Sequence, residues 1–168
     1  MKVWQCIVLG CLCFAGTAEA AVHAPVPTAI FPFVLDDTSL QGQEQGPSED
    51  QQKRLAALDS QLGDALLHSG CCSVADLSPV AKQAQAMDMQ DCNGCEVDLA
   101  RKVGAKISVT GWVQKVSNLI LNINLVARNV TTGKVISAGS VDIRGNTNES
   151  WSRGLSYLLR NRLHPSDW

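Results

Sequence analysis

The sequence lacks the motifs of several large enzyme classes. It has no G-x-S-x-G nucleophile turn and no glycine-rich phosphate loop. Its three histidines, His23, His68 and His164, are scattered, so no Ser/His/Asp set can be assembled. His68 falls in the last turn of a predicted helix, where a basic side chain complements the helix dipole. Excess positive charge is missing too. The formal net charge is −2, which argues against a nucleic-acid surface, since such surfaces carry a basic excess. No stretch after the N-terminal region is apolar enough to span a bilayer, and neither internal repeats nor low-complexity segments occur.

The first twenty residues read as a signal peptide. Lys2 precedes an apolar run from Val3 to Phe14, broken only by Gln5, and Ala18-Glu19-Ala20 places small residues where a signal peptidase reads them. Cleavage after Ala20 is expected, giving an exported periplasmic protein, with residues 21–168 as one domain. Val8-Leu9-Gly10-Cys11 comes too early to serve as a lipid-attachment site. Losing Lys2 and Glu19 leaves the net charge unchanged. Cys6, Cys11 and Cys13 go with the leader, and Cys71, Cys72, Cys92 and Cys95 remain in a compartment that permits disulfides.

Residues 104–143 carry the clearest periodicity. Ile107, Val109, Gly111 and Val113 share one face, and Leu119, Leu121, Ile123, Leu125 and Ala127 repeat it. Val135, Gly139, Val141 and Ile143 complete the pattern. Period two over three runs, with turns at Val116–Asn118 and Thr131–Lys134, predicts an antiparallel three-stranded meander with one wet face. Before it, Ala29–Leu35 reads as one buried strand despite Pro32, which cannot donate to a ladder. Gln41–Pro47 reads as a loop. Ser48-Glu49-Asp50-Gln51 opens a helix with a capping box, carried on by Leu55, Leu58, Leu62, Ala65 and Leu66 and stopped at Gly70. Residues 71–77 suggest a short strand and Ser78–Gln85 a weaker helix. A further helix runs over Glu96–Val103, and a last one starts at Asn148 as N-cap. The fold class is therefore a mixed α/β (α+β) domain of order β-α-β-α-α-β-β-β-α, a single mixed sheet with helices packed on it.

Gly104-Ala105, Gly111-Trp112-Val113 and the Thr132-Gly133-Lys134-Val135 turn resemble the amino-terminal domain of TolB and the CsgG-like periplasmic domains at the level of fold. Three longer stretches resemble an exported bacterial family, domain of unknown function 2380. They are Cys92-Asn-Gly-Cys95 with Ala100-Arg101 and Gly104-Ala105; GWVQKVSNLILNIN from Gly111; and VDIRGNTNESW from Val141 with YLLRNRL from Tyr157. The likeness spans about Phe31 to Leu163. It implies an envelope protein of a Gram-negative bacterium and brings no catalytic residue, cofactor or named partner.

The local signals leave several roles open. A CxxC at a helix start favours the thiolate and suits redox chemistry. Alternatively Cys92–Cys95 is a structural staple, or one of Cys71 and Cys72 bonds one of Cys92 and Cys95. Together the four could form a zinc site, though the adjacent pair fits one tetrahedral ion poorly. Asp36 and Asp37, with Thr38 and Ser39, could hold a divalent cation or a small ligand, against a plain solvated turn. On the polar side of the meander, Trp112, Asn122, Asn124 and Arg128, with Asp142, Arg144, Asn146 and Trp151 nearby, suit recognition of a polar partner. The competing view buries Trp112 under helices. The favoured expectation is a non-enzymatic binding or assembly module that needs no cofactor. It would meet an envelope or periplasmic protein partner, with copies of itself as a further option. A thiol-redox or metal-handling protein and a small-ligand sensor are the alternatives.

Overall fold

A computed structural model describes residues 24–92 and 94–168; the leader and its cleavage point lie outside the described residues. It shows one open mixed sheet of six strands and five α-helices. The strands are β1 (Val26–Ile30), β2 (Val34–Asp37), β3 (Cys72–Val74), β4 (Ile107–Ser117), β5 (Ile120–Asn129) and β6 (Val135–Ile143). The helices are α1 (Leu40–Gln45), α2 (Glu49–His68), α3 (Ala81–Gln85), α4 (Cys95–Lys102) and α5 (Asn148–Leu158). Strand order is β3-β1-β4-β5-β6, with β2 also paired to β4. β1, β2 and β3 pair in parallel, while β4, β5 and β6 form the expected antiparallel meander.

The N-terminal strand departs from expectation. Ala29–Leu35 is not one strand: β1 begins at Val26 and ends at Ile30, and β2 follows after Phe31-Pro32-Phe33. Proline at the centre of the run removes one donor, and the chain steps aside there. Phe33 N–H bonds the Asp59 carboxylate on α2 at 2.7 Å instead. Both strands then lie along the same edge of β4, β1 against Ile107–Val109 and β2 against Trp112–Lys115. The expected loop over Gln41–Pro47 contains α1, capped by the Ser39 hydroxyl. Thr147, not Asn148, caps α5, because its hydroxyl reaches Ser150 N–H.

Two cores form, one on each side of the sheet. On one side α2 and α5 bury Leu58, Leu62, Leu66, Trp151, Leu155 and Leu158 against Val109, Val113, Leu121, Ile123 and Leu125. On the other, α4 and the α3 region bury Val97, Leu99, Ala100 and Val80 against Ala29, Phe31 and Ala105. The first half of β4 is thus covered on both faces, and even Ser108 and Thr110 are buried. The wet face is confined to the far half of β4 with β5 and β6. Leu119 and Val135, both expected inside, are exposed. Leu119 lies in the turn between β4 and β5, and a register shift near Arg128 displaces Val135.

Lys115 follows Val113 on the apolar side and is buried to 1% exposure. Its ammonium meets Asp37 Oδ2 at 2.7 Å and Ser39 Oγ at 3.2 Å. Asp37 also accepts from Ser39 N–H and hydroxyl. Burial pushes the Asp37 carboxyl upward, but the hydrogen bonds from Lys115 and Ser39 together hold it below its ordinary range. A Cβ on Gly42 would run into this carboxylate, so the glycine lets α1 close over the pair.

Candidate site on the uncovered sheet face

The pairing register assembles the uncovered face in rows. Gln114, Asn122 and Asp142 form one, and Trp112, Asn124 and Ser140 form the next; beyond them the pairing continues to Thr110, already buried, with Val126 and Ala138. Asn122 sits between two partners, donating to Asp142 at 2.7 Å and accepting from Ser140 at 2.8 Å. A polar ladder with its partners satisfied this way is ordered without needing a cover. Trp112 is only partly buried, and at its flank the covering layer ends.

There a cleft of about 340 Å³ opens between sheet and α4, lined by Met89, Asp91, Gly94, Glu96, Trp112 and Arg128 among others. Glu96 is buried on the first turn of α4, and Arg128 Nε holds it at 2.9 Å. Sequence reasoning placed Arg128 on this face but missed Glu96. The pair joins a helix to a strand far along the chain, and neither residue's local pattern names the other. Cys92 and Cys95 are disulfide-bonded beside the cleft, with Gly94 at φ 111° as the N-cap of α4. A left-handed backbone there suits glycine.

The remaining sequence candidates fall elsewhere. Cys71 and Cys72 are free thiols packed on the α2/α5 side, opposite the bridge. They join neither a mixed disulfide nor a four-cysteine metal site. Their sulfurs lie 2.8 Å apart. Burial first, and the Cys71 thiol next, push the Cys72 thiol up to about 12. Asp36 and Asp37 are strand residues rather than a solvated turn. Asp37 is consumed by Lys115, and Asp36 lines a second cavity, of about 510 Å³, with Asp88 and Asp91. Trp151 is core at 1% exposure, with the Arg54 guanidinium 5.9 Å from its ring centre. Asn146 bonds Arg54 and Asn118 near the β4–β5 turn, and Arg144 is exposed beside it. Trp112, Asn122, Asn124, Arg128 and Asp142 are therefore brought together, whereas Arg144, Asn146 and Trp151 are not.

The frame is a six-stranded α+β domain with a cystine-stapled cleft beside an amide-rich sheet face. The chain belongs to the family described as "Protein of unknown function (DUF2380)", which matches residues 27–163. The fold is similar to that of the LpoB C-terminal domain from Salmonella enterica, at 18% identity over 74% of this chain and 86% of that one, TM-score 0.51. Lipoprotein GNA1162 from Neisseria meningitidis is similar at 16% identity, covering 74% and 84%, TM-score 0.50. The PelC dodecamer from Paraburkholderia phytofirmans is similar at 12% identity, covering 85% and 91%, TM-score 0.51. Such identities speak for the fold alone. No curated protein matches the chain. Among the described residues, no helix is long and apolar enough to cross a membrane.

Proposed function

We propose that this protein is an exported, non-enzymatic module of the cell envelope that binds a protein partner through the uncovered face of β4, β5 and β6. The observation that carries the reading is the abrupt end of helical cover at Trp112. A large aromatic ring is left partly exposed beside an ordered row of Asn122, Asn124, Ser140 and Asp142. Rigid aromatic surface contributes binding energy at low entropic cost, and fixed amides discriminate partners. The aliphatic side chains of Val116, Leu119 and Ile120, exposed at the adjoining hairpin end, extend the surface with apolar area. The fold shared with a named lipoprotein and with a dodecamer-forming protein supports an envelope setting and an assembling role.

A photo-crosslinking residue at Gln114 or Ser140 tests this in cells, with Lys53 on α2 as control. The expected result is one adduct at the sheet positions that disappears when Trp112→Ala is added. Equal adducts at Lys53, or none at the sheet, would refute the surface. Two differently tagged copies tell a self-adduct from a foreign one, and intact mass starting at Ala21 tests export.

A further inference from the structure

The disulfide beside the cleft has two unusual neighbours. Met89 Sδ lies 3.7 Å from Cys95 Sγ, and Glu96 Oε2 lies 3.6 Å from Cys92 Sγ. The ligand atoms of Cys92, Cys95 and Glu96 all fall within 4.8 Å of one another. Met89 and Glu96 line the 340 Å³ cleft, which gives an ion a route in.

We propose that, once the bridge is reduced, Cys92, Cys95 and Met89 form a three-sulfur site for monovalent copper. The spacing supports it. With metal–sulfur bonds of about 2.3 Å, two sulfurs on one three-coordinate ion stand about 4.0 Å apart. Met89 and Cys95 stand close to that separation at 3.7 Å, and reduction frees Cys92 to move out to the same distance. Ligand chemistry selects the metal, because thiolates with a thioether are soft and suit copper(I). Among the described residues, the carboxylate grouped with the two cysteines is Glu96, and Arg128 holds its Oε1 at 2.9 Å in an ion pair. Charge also fits. Two thiolates and one copper(I) leave a single negative charge at the first turn of α4, where unpaired N–H groups favour an anion.

The steps balance. A dithiol reductant delivers two electrons and two protons to the Cys92–Cys95 bond and becomes a disulfide itself. Copper(I) then displaces both thiol protons and keeps its oxidation state. The bridged form offers no thiolate, so loading is gated by the bridge. This site does not depend on the partner surface proposed above.

The test uses the full chain carrying Cys71→Ser and Cys72→Ser, reduced with a phosphine that is then removed, and titrated with copper(I) against a chromogenic chelator. One equivalent bound by the reduced protein and none by the oxidised protein is expected, with three sulfurs in the X-ray absorption spectrum. Met89→Leu, close in volume, should keep the fold and lose one of the three sulfurs. The assignment is overturned if the reduced protein takes no copper, if Cys92→Ser binds as well as its parent, or if Met89→Leu leaves the sulfur count unchanged. Zinc held in preference to copper would overturn it too.

Discussion

The two sides of the sheet carry the same alternating sequence pattern and put it to different use. On one side α2 and α5 lie across the sheet, and Trp151, Leu155 and Leu158 close the core over Ile123 and Leu125. On the other, α4 covers β1 and the start of β4 and then stops. Each side contains an ion pair, and the contrast is sharp there. Lys115–Asp37 is sealed, with side-chain exposures of 1% and 9%, whereas Arg128 on the open side keeps 35%. The larger buried cluster lies on the closed side, and the open side leaves polar side chains of β4, β5 and β6 without helical cover.

The largest expected effect follows from unpairing the sealed ion pair. Lys115→Met leaves the Asp37 carboxylate buried without its cation and should cost about 3–5 kcal/mol, read from the urea midpoint. Adding Asp37→Leu should recover most of that loss. Next comes Gly111→Ala. A methyl group at Gly111 would press into the Phe33 ring on the closed side, an overpacking of about 1–3 kcal/mol.

Smaller still is a pH effect in which two carboxyls act with opposite sign. Asp37, held below its ordinary 3.8, contributes fully above that value, and its contribution fades as pH falls through the lowered native one. Asp59 is raised above 3.8 by burial, partly offset by the Phe33 N–H bond. Its contribution is present below 3.8 and is lost as pH rises through the raised native value. Asp59→Asn keeps an acceptor for Phe33 and should stabilise the protein at pH 7 by up to about 0.5 kcal/mol. That gain should vanish in urea titrations run below pH 3.8. The smallest effect belongs to the open side: Asn124→Ala or Gln114→Ala should shift stability by less than about 0.5 kcal/mol. A larger cost at either position would erase the contrast between the sides.

Much of this architecture was legible in local pattern. Alternation announced β4, β5 and β6, and Ser48 with Gln51 announced the start of α2, where each bonds the other's backbone. The closing motif from Val141 to Leu163 pointed to the family. What escaped depends on contacts distant in sequence. Lys115 sits in phase with Val109 and Val113, and a charge in an apolar register is itself the sign of a buried partner. Only the fold could supply Asp37 as that partner. Pro32 was the visible sign that the first strand breaks. The sequence left Trp112 open between surface and core, and the ring is partly buried. The contact of Glu96 on α4 with Arg128 on β5 beside it is one that no periodicity encodes.

The attachment of β1 and β2 to a single edge of β4 has a consequence for how the chain folds. The meander joins neighbours through short turns, so its loops close early and at low entropic cost. The N-terminal strands must wait for β4, whose first residue is Ile107, with α2, α3 and α4 intervening. Docking late, they should contribute little to the folding nucleus. Ile123→Val is then expected to slow refolding, whereas Val26→Ala should chiefly speed unfolding. The amino terminus, made first, would be the last part of the sheet to be secured.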